Sequence, residues 1–267
     1  MIFLAPTRYI LAFNKSGVLL MKQTVLATEI TNIFLALRDD AQANNLMRFF
    51  KTGRGQYGEG DRFLGIKVPV TRSQIKPYRE KVTVADCDAL LDSEWHEIRL
   101  AALLLMVNLT KQFAKQRDKQ NIQKLVDLYD KRLNRANNWD LIDMSARDIM
   151  GLYWQCTNAD PEERRRFLSV WATSGNLWRE RAAMVSVYAL QRMGSLDETF
   201  WLAEHFINHQ HDLMHKAMGW MLREAGKFDR EALRRFLADF HKLLPRTALR
   251  YAIEHMDHEE RRKWMSK

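Results

Sequence analysis

The chain has 267 residues, 46% of them apolar and 28% charged, a balance that excludes a disordered polymer and allows one or two folded domains. Its formal net charge of +9 points to polyanionic partners, nucleic acid first and an anionic membrane second. Two cysteines, Cys87 and Cys156, without C-x-x-C spacing argue against a disulfide or zinc framework and for a reducing, cytoplasmic compartment.

The first residues are apolar, but Arg8 and Lys15 interrupt them and no small-residue cleavage site follows, which fits neither a signal peptide nor a bilayer span. We read residues 1–21 as an N-terminal extension, disordered or a non-native start. Helical periodicity begins at Gln23 and runs to Arg38, with Ile30, Ile33, Phe34 and Leu37 on one stripe. A short helix from Ala43 to Phe50 precedes the glycine cluster, where five of the eleven glycines fall between 53 and 65. The Walker spacing is absent and no strand precedes this loop, so nucleotide binding is a weak reading. Arg54 and Arg62 beside its flexible backbone are candidates for contact with a nucleic-acid phosphate.

Beyond Val68-Pro69 the pattern is helical nearly throughout, with no sustained strand alternation. Predicted helices include Trp95 to Gln112, Trp139 to Cys156, Leu177 to Met193, Leu213 to Gly226 and Thr247 to His255. The longest uncharged apolar run, Leu100 to Leu109, is a core helix and too short for a membrane. Arg99, Arg181 and Lys216 each enter a helix of small and apolar residues. Arg99 to Arg181 is 82 residues, twice 41, and Arg181 to Lys216 is 35. That period, with two helices per unit, predicts an all-α superhelical solenoid of antiparallel helix pairs, HEAT-like repeats, with a concave basic face. We take 22–267 as one such domain. Equivalent helices of a solenoid line one surface, so Asp143, Arg181 and Trp220 can converge despite their separation.

The segment Asn137-Asn138-Trp139-Asp140-Leu141-Ile142-Asp143 opens one of the predicted helices. Trp139 and Asp143, four apart, share a helical face, an aromatic beside an acid. Asn137 or Asn138 supplies an N-cap, and Asp140 and Asp143 sit toward the positive helix end. Lys216, Trp220 and Arg223 set an aromatic between two cations on one face, a docking surface for a phosphate backbone or a tryptophan under snorkelling basic side chains. Arg181 heads an apolar stripe and needs an anionic partner, either Asp143 or a bound phosphate. His205, His209, His211 and His215 cluster, but without HExxH or suitably spaced carboxylates they predict no metal site. The runs 162–166 and 259–263 read as solvated faces with internal ion pairs.

The passages Phe49 to Gly53, Gln56 to Pro69, Asn138 to Asp143, Trp178 to Ala183, Lys216 to Glu224 and Pro245 to Glu254 resemble the AlkD-like DNA alkylation repair family, DNA glycosylases built from HEAT-like repeats. The glycine-rich segment is longer than in the best-known members, and the N-terminal extension has no counterpart there. The resemblance implies a DNA-alkylpurine N-glycosylase that hydrolyses the N-glycosidic bond of cationic N3- or N7-alkylated purines in double-stranded DNA, as a monomer and without metal or cofactor. It implies Asp143 as the catalytic acid, Arg181 as the active-site arginine, and Trp139 and Trp220 as the cleft tryptophans. Lys216, Arg223, Arg54, Arg62, Arg246 and Arg250 are the expected DNA-binding cations. The competing expectation is a non-catalytic HEAT-like module that binds DNA, RNA or a protein.

Overall fold

The computed structural model describes residues 9–13 and 19–266. The expected extension, residues 1–21, lies outside the described residues at 1–8 and 14–18. Within it and just beyond, β1 (Tyr9–Phe13) and β2 (Leu19–Thr24) pair antiparallel, with Tyr9 opposite Thr24 and Phe13 opposite Leu19. Tyr9, Ile10 and Phe13 give β1 residue types enriched in strands, and this pair departs from the purely helical expectation. Everything else regular among the described residues is helix. The chain divides into two compact units, 1–141 and 142–267.

In the first unit, Thr24 caps α1 (Val25–Ala36) by accepting a hydrogen bond from the Ala27 amide. Of the expected α1 stripe, Ile30 and Phe34 are buried while Leu37 is exposed. After α2 (Asp40–Phe49) and α3 (Val68–Ile75), α4 (Val84–Leu91) begins in a reciprocal capping box between Thr83 and Asp86. The centre is α5 (His96–Gln116), against which α1, α3, α4 and α6 (Lys119–Lys131) pack. From His96 to Val107 every α5 residue is buried, as expected of a helix apolar on all sides. Three residues in that run, His96, Glu97 and Arg99, are polar and therefore need partners.

The predicted helix from Trp139 to Cys156 is broken. A five-residue helix, α7 (Trp139–Asp143), ends in a turn closed by the Ser145 amide donating to the Ile142 carbonyl at 3.1 Å. The chain then restarts as α8 (Ala146–Thr157). Asp143 is consequently the last residue of α7, not a first-turn acid supported by a helix dipole.

In the second unit α8, α10 (Leu177–Arg192), α12 (Asp212–Phe228) and α14 (Arg246–Ala252) stack in succession. Against that row lie α9 (Pro161–Ala172), α11 (Asp197–His205) and α13 (Arg230–Phe240), and α15 (His258–Met265) ends the chain. This alternation is the antiparallel helix-pair repeat expected from the 35-to-41-residue period. Small residues set the spacing of the row. A Cβ on Gly151 of α8 would lie 2.4 Å from the Ala189 methyl of α10, and one on Gly219 of α12 would lie 2.4 Å from the Ala248 carbonyl oxygen of α14. Residues 162–166, read as a solvated run, include the buried Arg164, whose Nε donates to Glu198 at 2.8 Å.

Candidate active site

In the second unit, Asp143 and Arg181 meet. Asn176 caps α10 by accepting from the Trp178 and Arg179 amides, which places Arg181 one turn into the helix. Its Nε and Nη2 donate to the two Asp143 oxygens at 2.9 and 2.8 Å, a bidentate fork. Nη1 donates to the Leu213 carbonyl, at the start of α12, at 2.5 Å. The Arg181 side chain is 5% exposed and that of Asp143 18%. Of the two partners expected for Arg181, the chain supplies Asp143, and three of its five N–H donors are engaged by the protein itself. Arg181 therefore holds the acid in place, and the phosphate-gripping alternative has only its two remaining N–H groups to use.

A histidine-rich turn fixes the Leu213 carbonyl. His211 caps α12, its Nδ1 accepting from the Leu213 amide at 3.1 Å, so that nitrogen carries no proton. Burial lowers the pKa of His211, and the neighbouring His209 adds to the shift, so the neutral ring this bond requires is favoured. Nε2 of His209 meets Glu180 at 3.0 Å. The cluster is thus structural support for α12 and, through Leu213, for Arg181. Among the described residues no three His, Cys, Asp or Glu side chains are grouped to hold a metal ion.

Trp220 stands half-buried on α12, one turn from Lys216. Lys216 pairs with Asp212 at 2.8 Å across one helical turn. Arg223 is paired with Glu254 and lies 3.5 Å from Glu224. Arg246 spends two guanidinium nitrogens on the Met265 carbonyl, at 3.2 and 3.1 Å, while Arg250 is exposed. The expected face of α12 thus carries its cations in ion pairs.

In the first unit, the ring of Trp139 belongs to an aromatic stack. It lies 5.4 Å from Phe50 at an interplanar angle of 29°, Phe50 stacks on Phe63 at 5.1 Å, and Phe63 on His96 at 4.3 Å. His96 is 2% exposed and bridges two carboxylates, with Nδ1 2.8 Å from Asp61 and Nε2 2.9 Å from Asp140. Arg99 donates to the other Asp61 oxygen at 2.5 Å. Burial lowers the pKa of His96, but Asp140 and Asp61 outweigh it and hold the value at about 9. For Asp61 burial acts upward, and His96 and Arg99 bring it below the usual carboxylate range.

This network also organises the glycine-rich segment. Glu97 accepts from three consecutive amides, Leu64, Gly65 and Ile66, at 2.9, 2.9 and 3.1 Å, and Gly55 donates to Glu59 at 2.8 Å. These four amides are thus occupied by the chain's own carboxylates. Arg62 stacks 4.4 Å over the Trp95 ring and pairs with Glu94, whereas Arg54 is exposed. Sequence reasoning missed His96 and Asp61, which are 35 residues apart with no motif to join them. Two members were visible in the sequence, Arg99 as a helix-entry cation and Asp140 as a helix-start acid, but nothing there joined them.

A model of the family described as DNA alkylation repair enzyme matches residues 30–256. Among solved structures, the chain is similar to one titled "Predicted DNA alkylation repair enzyme from Enterococcus faecalis". The TM-score is 0.66 at 15% identity, over 83% of this chain and 97% of that one, a likeness of fold. No curated protein sequence matches the chain. No helix among the described residues is long and apolar enough to cross a membrane.

Proposed function

Because this chain belongs to the DNA alkylation repair enzyme family, we propose that it is a DNA glycosylase that hydrolyses the N-glycosidic bond of cationic N3- or N7-alkylated purines. The observation that carries this reading is the Asp143 carboxylate, held by two parallel hydrogen bonds from a buried arginine yet left part-exposed. An alkylated purine already bears positive charge and leaves as a neutral base with the bonding electron pair. The deoxyribose left behind has oxocarbenium character. A fixed carboxylate stabilises that cation electrostatically, and a water adds to the sugar carbon and loses its proton to solvent. Arg181 donates to each oxygen, which makes Asp143 a well-positioned anion. Stabilisation of positive charge is the role that suits it. Trp220 offers a ring face to the cationic base, worth ~1 kcal/mol.

The test is release of methylated purines from methylated plasmid DNA by wild type and by Asp143→Asn. Release of 3-methyladenine or 7-methylguanine by wild type and its loss in the variant support the reading. Wild type that binds DNA and frees no base returns the chain to a non-catalytic binding module.

A further inference from the structure

Histidines of the turn before α12 begin a chain of hydrogen bonds that ends on Asp143. Nδ1 of His209 accepts from the His211 amide at 3.0 Å, and Nδ1 of His211 accepts from the Leu213 amide at 3.1 Å. A ring nitrogen that accepts an N–H carries no proton, so both rings are neutral with their proton on Nε2. Nε2 of His209 accordingly donates to Glu180 at 3.0 Å, and Nε2 of His215 donates to the His209 carbonyl. The turn is thereby tied to two consecutive residues of α10, to Glu180 through His209 and to Arg181 through the Leu213 carbonyl. Nε and Nη2 of Arg181 pass the constraint to Asp143.

We propose that His209 and His211 are positioning residues that make the Arg181–Asp143 pair acid-sensitive, holding it in register only while both rings are neutral; the proposal rests on Asp143 as the group that promotes base release. A proton arriving from water on Nδ1 sets one N–H donor against another. The His211 or Leu213 amide then has no acceptor, the start of α12 loosens, and the Leu213 carbonyl is no longer fixed beside Arg181. A cap made by Ser, Thr or Asn does not titrate, whereas one made by histidine changes charge near neutral pH. Both rings can take up that proton, since the His209 side chain is 20% exposed and His211 is half-buried. Around His211 lie His209, Asp212 and His215 on its own turn and Arg181 from α10, while Glu180 of α10 faces His209. Asp212 is itself bonded to Lys216 and to Thr247 of α14. Burial and the His209 ring hold His211 below the usual imidazole range, so the latch stays closed at neutral pH and opens on the acid side.

The experiment follows methylpurine release between about pH 5 and 8, corrected for spontaneous loss, beside NMR spectra of the histidine rings and of the Arg181 Nε–H. In the wild type, Nδ1 of His209 and His211 should be unprotonated at neutral pH. As pH drops below about 6.5 the rings should gain protons, the Arg181 signal should shift with them, and release should fall about tenfold to hundredfold. An asparagine side chain accepts the same amide and does not titrate. The double variant His209→Asn/His211→Asn should therefore keep the neutral rate within about threefold and lose both the acid fall and the Arg181 shift. His211→Ala, without a cap at any pH, should be slow at neutral pH as well; should it fail to fold, the wild-type spectra and the asparagine pair still decide. An acid fall that the asparagine pair leaves in place, or a protonated Nδ1 on either ring at neutral pH, would overturn the proposal. An Arg181 signal that follows the rings in a protein releasing no purine supports the latch and sinks the glycosylase reading. Purine release with an Arg181 signal indifferent to the rings does the reverse.

Discussion

Asp140 and Asp143 lie three residues apart around α7, yet each is built into different chemistry. Asp140, 5% exposed at its side chain, closes the first unit's cluster with His96, Asp61 and Arg99. Two acids and two bases there neutralise one another out of reach of water. Asp143 is held by Arg181, and its side chain keeps 18% of its surface. Both carboxylates touch a buried cation, so contact with a cation does not separate a structural acid from a reagent. Enclosure does: a sealed cluster converts its charges into stability, and a half-open pair leaves carboxylate surface for something arriving from outside.

The comparison breaks most readily at the sealed cluster. Asp61→Ala strips one carboxylate from His96 and the carboxylate that pairs with Arg99, leaving buried charge uncompensated. We expect a loss of roughly 3–5 kcal/mol, read as a lowered urea midpoint. A loss below about 1 kcal/mol, the range of exposed ion pairs, would show that water enters the cluster. Asp143→Asn should lower the rate of methylpurine release about a hundred- to thousandfold, with a smaller fall in urea midpoint than Asp61→Ala, because the amide oxygen still accepts from Arg181. If instead its stability collapses while release per folded molecule persists, the two acids have been assigned the wrong way round.

Titration sharpens the same contrast. The pKa of His96 is raised to about 9 in the folded state. Its contribution is therefore fully present below the unfolded value of about 6.5 and is lost as pH rises through about 9. The lowered pKa of Asp61 acts at the other end, its stabilisation disappearing as pH falls through the folded value below 3.8. Between pH 6.5 and 9.5 the wild type should lose up to roughly 3 kcal/mol of unfolding free energy, and His96→Gln, weaker throughout, should lose little of that dependence. Parallel curves for the two proteins would mean that His96 is not charged when folded.

Much of this arrangement was legible in the sequence because it is periodic. The α10 and α12 stripes, the repeat spacing and the pairing of Arg181 with Asp143 as one of two alternatives all follow from residues recurring at helical intervals. What was hidden is decided by single long-range bonds. The break after Asp143 depends on one turn at Ser145, which no propensity announces. Arg164 stands in a run of charges that looks solvated, and it is buried only because α11 brings Glu198 to it. The three amides taken by Glu97 turn an open-looking glycine loop into an anchored one. Partners 30 to 40 residues apart leave no local pattern.

The two tryptophans carry the comparison to its smallest expected effect. Trp139 is stacked on Phe50 and lies edge-on to Phe49, so its ring is largely committed to the first unit's own packing. Trp220 is half-buried on α12, with Ala217 and Met221 on either side of it in the core. If Trp220 meets a cationic base by its face, Trp220→Ala should cost about 1 kcal/mol in kcat/KM for cationic lesions, roughly fivefold, and Trp220→Phe should recover part of it. The same substitution should leave binding of unmodified duplex nearly unchanged, because a phosphate backbone offers the ring no cation. Equal losses for modified and unmodified DNA would make Trp220 a packing residue, and would leave the half-open carboxylate of Asp143 to discriminate charged lesions without it.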